Sequence, residues 1–212
     1  MSAHSPAGHG EAVHAVHKDY EGAKLGMWLF LFTELLLFGG LFIGYGFYRS
    51  IYADQFGVAA HELNVFLGVF NTVILLTSSL TMVLSVSAMQ KGDIRSCVNS
   101  LFWTFVLAGG FLVNKYFEWS AKIHHGIYPG SESMMAHHDK GEVVFYSLYY
   151  LMTGLHSFHV IVGMICMGFI YWHIRKGWIT PTDFVKLENV GLYWHLVDLI
   201  WIFLLPLFYL TN

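Results

Sequence analysis

Val143–Ile174 reads VVFYSLYYLMTGLHSFHVIVGMICMGFIYWHI, 32 residues without Asp, Glu, Lys or Arg. A helix needs roughly 20 apolar residues to cross the hydrocarbon core of a bilayer. Strands of this length would leave backbone N–H and C=O groups unpaired in lipid. Four other segments share the character. Leu25–Phe47 carries one charge, Glu34, and Val190–Leu210 carries one, Asp198. Leu63–Met89 carries none, and Val98–Asn114 carries none before continuing through Lys115 to Trp119. The expected fold is therefore all-α, a bundle of five transmembrane helices over about 25–47, 63–89, 95–119, 143–174 and 188–210.

The rest of the chain agrees. Of 212 residues, 56% are hydrophobic, 17% aromatic and only 12% charged, about half the charge of a soluble domain. A net charge of -3 offers nothing to nucleic acid. Cys97 and Cys166 form no C-x-x-C pair, so neither a disulfide framework nor a zinc ribbon follows. Asp54–Gly57, Lys91–Asp93, His124–Gly141, and Lys176-Gly177 with Pro181 supply polar or turn-forming separators. Residues 1–23 read as a polar tail bearing His4, His9, His14 and His17, with no signal-peptide pattern. Their irregular spacing favours a plain polar segment over a metal-binding one. Residues 24–212 form one membrane domain.

Five crossings put the termini on opposite sides. With the N-terminus cytoplasmic, that side holds Lys18, Lys24, Lys91, Arg95, Arg175, Lys176 and Lys186. The other holds Arg49, Lys115, Lys122 and Lys140. Seven against four favours a cytoplasmic N-terminus and a periplasmic C-terminus. Trp28, Trp172 and Trp178 are then expected at the inner interface, and Tyr48, Tyr52, Trp119 and Tyr209 at the outer one.

Polar groups inside the spans need an explanation, because an ionised carboxylate at mid-bilayer costs on the order of 3 kcal/mol. Along their helices Glu34, His195 and Asp198 lie about 14, 8 and 12 Å from the inner ends at 1.5 Å per residue. His195 and Asp198 are i, i+3 and share a face, which Gly191 and Glu188 extend inward. Glu34 is expected to contact His195. The alternative is that each acid faces other polar neighbours, in the bundle or on a partner subunit. His156 and His159, preceded by Thr153 and Gly154, read as interhelical hydrogen-bonding groups rather than heme or metal ligands, because paired facing histidines are missing. Asn71 and Thr72 read the same way. Gly154 and Gly163 allow close helix contact, Gly40 and Gly44 make a G-x-x-x-G, and Pro206 loosens the last helix. The sequence contains no P-loop, dinucleotide fingerprint, H-E-x-x-H or evident Ser-His-Asp set. From residues alone the reading is a five-helix bundle with a buried acid–histidine layer and no catalytic centre, metal site or cofactor of its own.

Three segments carry a family resemblance. Tyr150-Leu-Met-Thr-Gly-Leu-His156-Ser-Phe-His159-Val-Ile-Val-Gly163 resembles the T-G-x-H-x-x-H-V-x-x-G segment of heme–copper oxidase subunit III. Tyr193-Trp194-His195-Leu-Val-Asp198-Leu-Ile-Trp201 resembles that family's Y-W-H-x-V-D-x-x-W helix, with Glu188 matching the acid before it. Gly26-Met27 through Thr33-Glu34 and Phe38 is similar to the helix bearing the family's buried glutamate, and Asn71-Thr72 and Lys91-Gly92-Asp93 also match. The likeness runs from about residue 24 to the C-terminus.

The resemblance implies an accessory subunit of a proton-pumping terminal oxidase, packed on subunit I and associated with subunit II, with heme and copper in those partners. It implies bound phospholipid, support of proton uptake and turnover, and a bacterial plasma membrane. Membership of a larger respiratory supercomplex is left open. Glu34 matches the family's carbodiimide-reactive carboxylate, with His195 as its expected partner and His156, His159 and Asp198 as structural hydrogen-bonding residues. Two departures stand out. The two first helices of longer members are absent, and Lys115 stands where many members place an acid, with Glu118 retained. Cytochrome c is the expected electron donor, because quinol-oxidase relatives often carry Asp at the position of Glu34. A quinol oxidase subunit and a nitric-oxide-reductase accessory protein are the same-family alternatives. A small-solute carrier would be expected to show repeats or broken helices, and a membrane cytochrome would need heme ligands.

Overall fold

The computed structural model describes residues 9–124, 126–131, 134–135 and 138–210, with side chains from Tyr20 onward. It contains α1 (His9–Ile51), α2 (Ala53–His61), α3 (Val65–Gln90), α4 (Ile94–His124), α5 (Lys140–Arg175) and α6 (Val185–Tyr209). Five of these are long and apolar enough to cross a membrane: Tyr20–Ile51, Val65–Gln90, Ile94–His124, Lys140–Arg175 and Val185–Tyr209. Among the described residues no strand forms, only an isolated bridge between Thr180 and Asp183. The helices outrun the sequence-based bounds. At 1.5 Å per residue the spans reach about 38–54 Å, beyond a 30 Å hydrocarbon core. α1 starts at His9, inside the stretch read as a polar tail. The calls on His4 lie outside the described residues, as do the side chains of His9, His14 and His17.

Local sequence sets the turns. After α3, the Gly92 N–H bonds Met89 O and the Asp93 N–H bonds Ala88 O, with Gly92 at φ +80°. This is the Schellman closure, which needs a residue at positive φ. Asp93 then caps α4, accepting from Ser96 N at 3.1 Å and Ser96 Oγ at 2.6 Å. Those bonds hold the Asp93 carboxyl below its ordinary range, Ser96 contributing most. Gly177 at φ +73° closes α5 the same way, with Trp178 N bonding His173 O. The nine-residue α2 docks on α5, where Tyr146 donates to the Glu62 carboxylate.

α6 is the central element. It packs on α3, α5, α1 and α2, while α4 packs on α3 and α5. α1 touches α6, α5 and α2, and no contact with α3 or α4 is present among the described residues. Outward faces are apolar, with Trp28, Phe32, Ile43, Phe66 and Phe169 all exposed, as suits lipid. Lipid is as apolar as leucine, so helices associate through packing and hydrogen bonds. Trp194 Nε1 donates to Ser78 Oγ at 3.1 Å, and Trp201 Nε1 to Thr72 Oγ1 at 3.0 Å, both joining α6 to α3. Asn114 Nδ2 donates to Asn71 Oδ1 at 3.1 Å, and Thr81 meets Thr104 at 2.8 Å, both joining α3 to α4. Past Pro206, Tyr45 of α1 donates to the Leu207 carbonyl in the last turn of α6.

The glycines separate into those that touch a neighbouring helix and a chance G-x-x-x-G match, and Tyr209 turns inward. Gly163 meets the Trp194 ring as expected, with 2.8 Å from an added Cβ to Cε3, and Gly154 comes 3.2 Å from Trp119. At Gly40 and Gly44 an added Cβ would meet nothing within 4 Å, so that G-x-x-x-G makes no helix contact. Tyr209, at the end of α6, points into the bundle and not toward lipid. Only 3% of it is exposed, because its hydroxyl is drawn into a polar network inside the bundle.

Candidate functional site

The polar groups inside the bundle fall in two layers. The first lies toward the end where α1 and α6 begin. Glu34 Oε2 sits 2.8 Å from His159 Nε2, joining α1 to α5. The His159 ring is further fixed by Nδ1, 2.7 Å from Leu155 O, and by the Phe38 ring edge-on at 5.3 Å. A carbonyl only accepts, so Nδ1 carries a proton. The Glu34–His159 contact therefore needs one further proton between Oε2 and Nε2. Either Glu34 is a neutral acid donating to imidazole, or His159 is an imidazolium donating to carboxylate. Both descriptions keep a net-neutral pair, which suits a site inside a membrane. The arrangement can hold one proton and hand it between two atoms 2.8 Å apart.

The expected partner of Glu34 was His195, and the structure corrects this. His195 Nδ1 lies 2.7 Å from Ser79 Oγ on α3. Matched depth fixes height along the bundle and leaves the direction around each helix open. α1 packs on α5 as well as α6, and Glu34 turns toward α5. The Gly191–His195–Asp198 stripe exists as the i, i+3 spacing implies, but it faces α3: an added Cβ at Gly191 would meet Val86 and Met82. Asp198 is 3% exposed, and the Ser79 hydroxyl on α3 is the polar group beside its carboxyl. The same hydroxyl lies 2.7 Å from His195 Nδ1. His156 is fully buried without a partner for either ring nitrogen, lying 5.5 Å from Phe111 and 5.2 Å from Trp201 between ring centroids. Among the described residues His156 thus makes no interhelical hydrogen bond, and the polar neighbour of Asp198 is Ser79 of α3. Thr153 bonds its own helix at Tyr149 O, 2.6 Å away. Glu188 Oε2 takes Lys24 Nζ at 3.0 Å and the Tyr20 hydroxyl at 3.1 Å, pinning α1 to α6 at the mouth of the bundle.

The second layer is at the opposite end, where α4 and α6 finish and α5 begins. Lys115 Nζ donates to Glu118 Oε2 at 3.0 Å, to the Tyr209 hydroxyl at 2.7 Å and to the Tyr149 hydroxyl at 3.2 Å. Tyr149 and Tyr209 in turn donate to Glu118 Oε1 at 2.7 and 2.5 Å. Lys115 also lies 4.9 Å from the Trp201 ring centre. Lys115 and Glu118 are only 3% and 7% exposed. The sequence reading placed Lys115 among charges on the far membrane face, so this cluster was missed. Its signal was present as Lys-x-x-Glu at i, i+3, directly after an uncharged run. No three His, Cys, Asp or Glu side chains among the described residues converge as a metal-ligand set.

The Glu34–His159 pair yields a stability prediction. Glu34→Leu leaves Nε2 facing apolar side chains and lowers stability by about 1–3 kcal/mol. Glu34→Gln keeps a hydrogen-bonding group at the same reach and stays within about 1 kcal/mol of the parent. Detergent-unfolding midpoints of the two variants separate these outcomes.

Comparison with known proteins follows from this geometry. A family model described as "Cytochrome c oxidase subunit III" matches residues 5–212. A cytochrome c oxidase subunit 3 of Alkalihalophilus pseudofirmus is 34% identical over 191 residues, covering 89% of this chain and 86% of that protein. A quinol oxidase subunit 3 of Bacillus spizizenii is 30% identical over 189 residues, 89% of this chain and 86% of its own length. A heme-copper oxidase subunit I+III of Aeropyrum pernix is 29% identical over 193 residues, and the chain spans 22% of that longer protein.

Proposed function

Since this chain belongs to the cytochrome c oxidase subunit III family of heme–copper oxidases, we propose that it is the accessory subunit of a proton-pumping oxidase that passes electrons from cytochrome c to oxygen. It packs on subunit I, associates with subunit II, and leaves heme and copper to those partners. Its own contribution is a rigid membrane face, bound phospholipid, and support of proton uptake and sustained turnover. The carrying observation is the Glu34–His159 pair, which shares one proton between a carboxylate and an imidazole on the spanning helices α1 and α5. The subunit I+III relative supports subunit I as the neighbour, since its printed name joins the two in one protein. The quinol oxidase relative supports a second reading, in which quinol replaces cytochrome c as donor.

The N-terminus is cytoplasmic and the C-terminus periplasmic, in a bacterial plasma membrane. Burial of Lys115 strengthens this orientation. Without it, seven basic residues on the N-terminal side face three on the other, Arg49, Lys122 and Lys140.

The test is purification through a tag on this chain. The reading expects heme-bearing large subunits to co-elute, with oxygen consumption driven by reduced cytochrome c. Activity with quinol alone selects the second reading. Elution without any heme-bearing partner contradicts both.

A further inference from the structure

α3 ends and α6 begins at the same end of the bundle, and a cavity of about 330 Å³ lies between the two helices there. The proposed function makes no use of it. Its polar groups sit at two levels. Gln90 and Ser87 of α3 and Glu188 of α6 stand at the mouth, with Lys24 of α1 beside them. His195 of α6 lines the inner end. Between the two levels the wall is Val83, Val86, Leu192 and the bare backbone of Gly191.

Helix rise gives the separation. Glu188 and His195 are i, i+7 on α6, about 10 Å apart along the axis. On α3, Ser79 marks the level of His195 through their 2.7 Å contact, and Ser87 lies about 12 Å nearer the mouth. Ser79 takes His195 Nδ1, which leaves Nε2 to the cavity that the ring lines. The imidazole can serve either way. When the Ser79 hydroxyl donates to Nδ1, Nε2 carries the proton and donates. When Nδ1–H donates to Ser79, Nε2 accepts, and the Ser79 hydroxyl turns to the Asp198 carboxyl beside it. At the rim, Lys24 Nζ is held by Glu188 Oε2 at 3.0 Å, so the mouth presents an ion pair and not a free cation.

The site therefore suits an apolar ring with an oxygen at each end. A 1,4-quinone whose two oxygens each make one hydrogen bond of ordinary length spans about 11 Å between its protein partners. A phosphate-bearing head fits less well, because the inner polar group is an imidazole and the rim cation already has its carboxylate. We propose that this cavity binds the ring of a 1,4-quinone or its hydroquinone, one oxygen on His195 Nε2 and the other on Ser87 or Gln90. Val83 is 48% exposed and marks the side through which a hydrocarbon tail leaves into lipid. The proposal concerns binding alone. It rests on the chain lying in a membrane and is independent of which donor the oxidase uses.

A photoreactive azido-1,4-benzoquinone with a decyl tail, added to the purified complex and followed by peptide mass mapping, tests the site. Label is expected between Val83 and Gln90 on α3 or between Glu188 and His195 on α6, and excess unlabelled decyl-benzoquinone is expected to displace it. Val83→Trp fills the cavity from an exposed position and abolishes the displaceable label. His195→Leu lowers it about fivefold, the weight of one hydrogen bond. A detergent-unfolding midpoint equal to the parent's shows that Val83→Trp is folded. Absence of label from these two segments, label that excess quinone does not displace, or equal displaceable label in the parent and Val83→Trp overturns the proposal. Heme content and oxygen consumption of the same preparation report on the oxidase reading separately.

Discussion

Replacing Lys115 with methionine lowers the stability of the bundle by about 3–5 kcal/mol. The loss comes from Glu118, whose carboxylate stays 7% exposed and loses the ammonium in contact with it, leaving the more distant Lys122 as its counter-charge. The Tyr149 and Tyr209 hydroxyls still donate to it, at 2.7 and 2.5 Å, but neutral donors do not replace an ammonium 3.0 Å away. The ammonium itself touches α4, α5 and α6 through Glu118, Tyr149 and Tyr209. Removing it therefore loosens three helices at one end. The paired change Lys115→Met with Glu118→Leu recovers most of the loss, because desolvation of both charges is then avoided. Unfolding of both variants in mild detergent checks this. Equal stability of the single and paired variants shows that the charge pair is not what joins these helices.

Gly163→Ala lowers stability by about 1–3 kcal/mol through overpacking. A Cβ there lies 2.8 and 2.9 Å from Cε3 and Cζ3 of Trp194. That ring has no room to yield. It is fully buried, and its Nε1 is tied to Ser78 on α3. Movement would spread from the α5–α6 contact into the α6–α3 contact. Gly40→Ala and Gly44→Ala are the controls, since their added methyls meet nothing, and both leave stability unchanged or slightly raised. Thermal unfolding of the three variants distinguishes a helix–helix contact from glycine that merely lines the lipid.

These results show which features a sequence of this kind makes legible. The five spans follow from apolar length with at most an isolated charge, because the bilayer requires it. The Lys91-Gly92-Asp93 turn is equally legible, since glycine serves the positive φ and aspartate the next helix start. The depth of Glu34 and the shared face of His195 and Asp198 follow from helix periodicity. The partner of Glu34 does not, because azimuth depends on which neighbour α1 meets, and that is a long-range packing outcome. The Lys115–Glu118 cluster was hidden by treating a lysine near a helix end as solvated. Tyr209, near the end of the chain, hides it further, reaching back across 94 residues to complete the site. The short α2 escaped because nine residues are too few for a span and Asp54–Gly57 reads as a turn, although Phe56, Ala59 and Ala60 recur at i, i+3 and i+4 on its buried face.

His156 and Asp198 are the least satisfied polar groups of the bundle. Both are fully or nearly fully buried; neither ring nitrogen of His156 has a hydrogen-bond partner among the described residues, and Asp198 has only the shared Ser79 hydroxyl beside it. Such groups carry a desolvation cost that the packing around Trp201 and Trp194 must offset. They sit in α5 and α6, in the two segments Thr153–Gly163 and Tyr193–Trp201 that carry the resemblance.

The central claim is that these helices support a neighbouring subunit's redox chemistry and hold no redox centre themselves. The most direct measurement is an absorption spectrum taken after this chain is separated from the purified complex with detergent. The account predicts that the Soret band stays with the large subunits and the separated chain is colourless. A Soret band stoichiometric with this chain contradicts it.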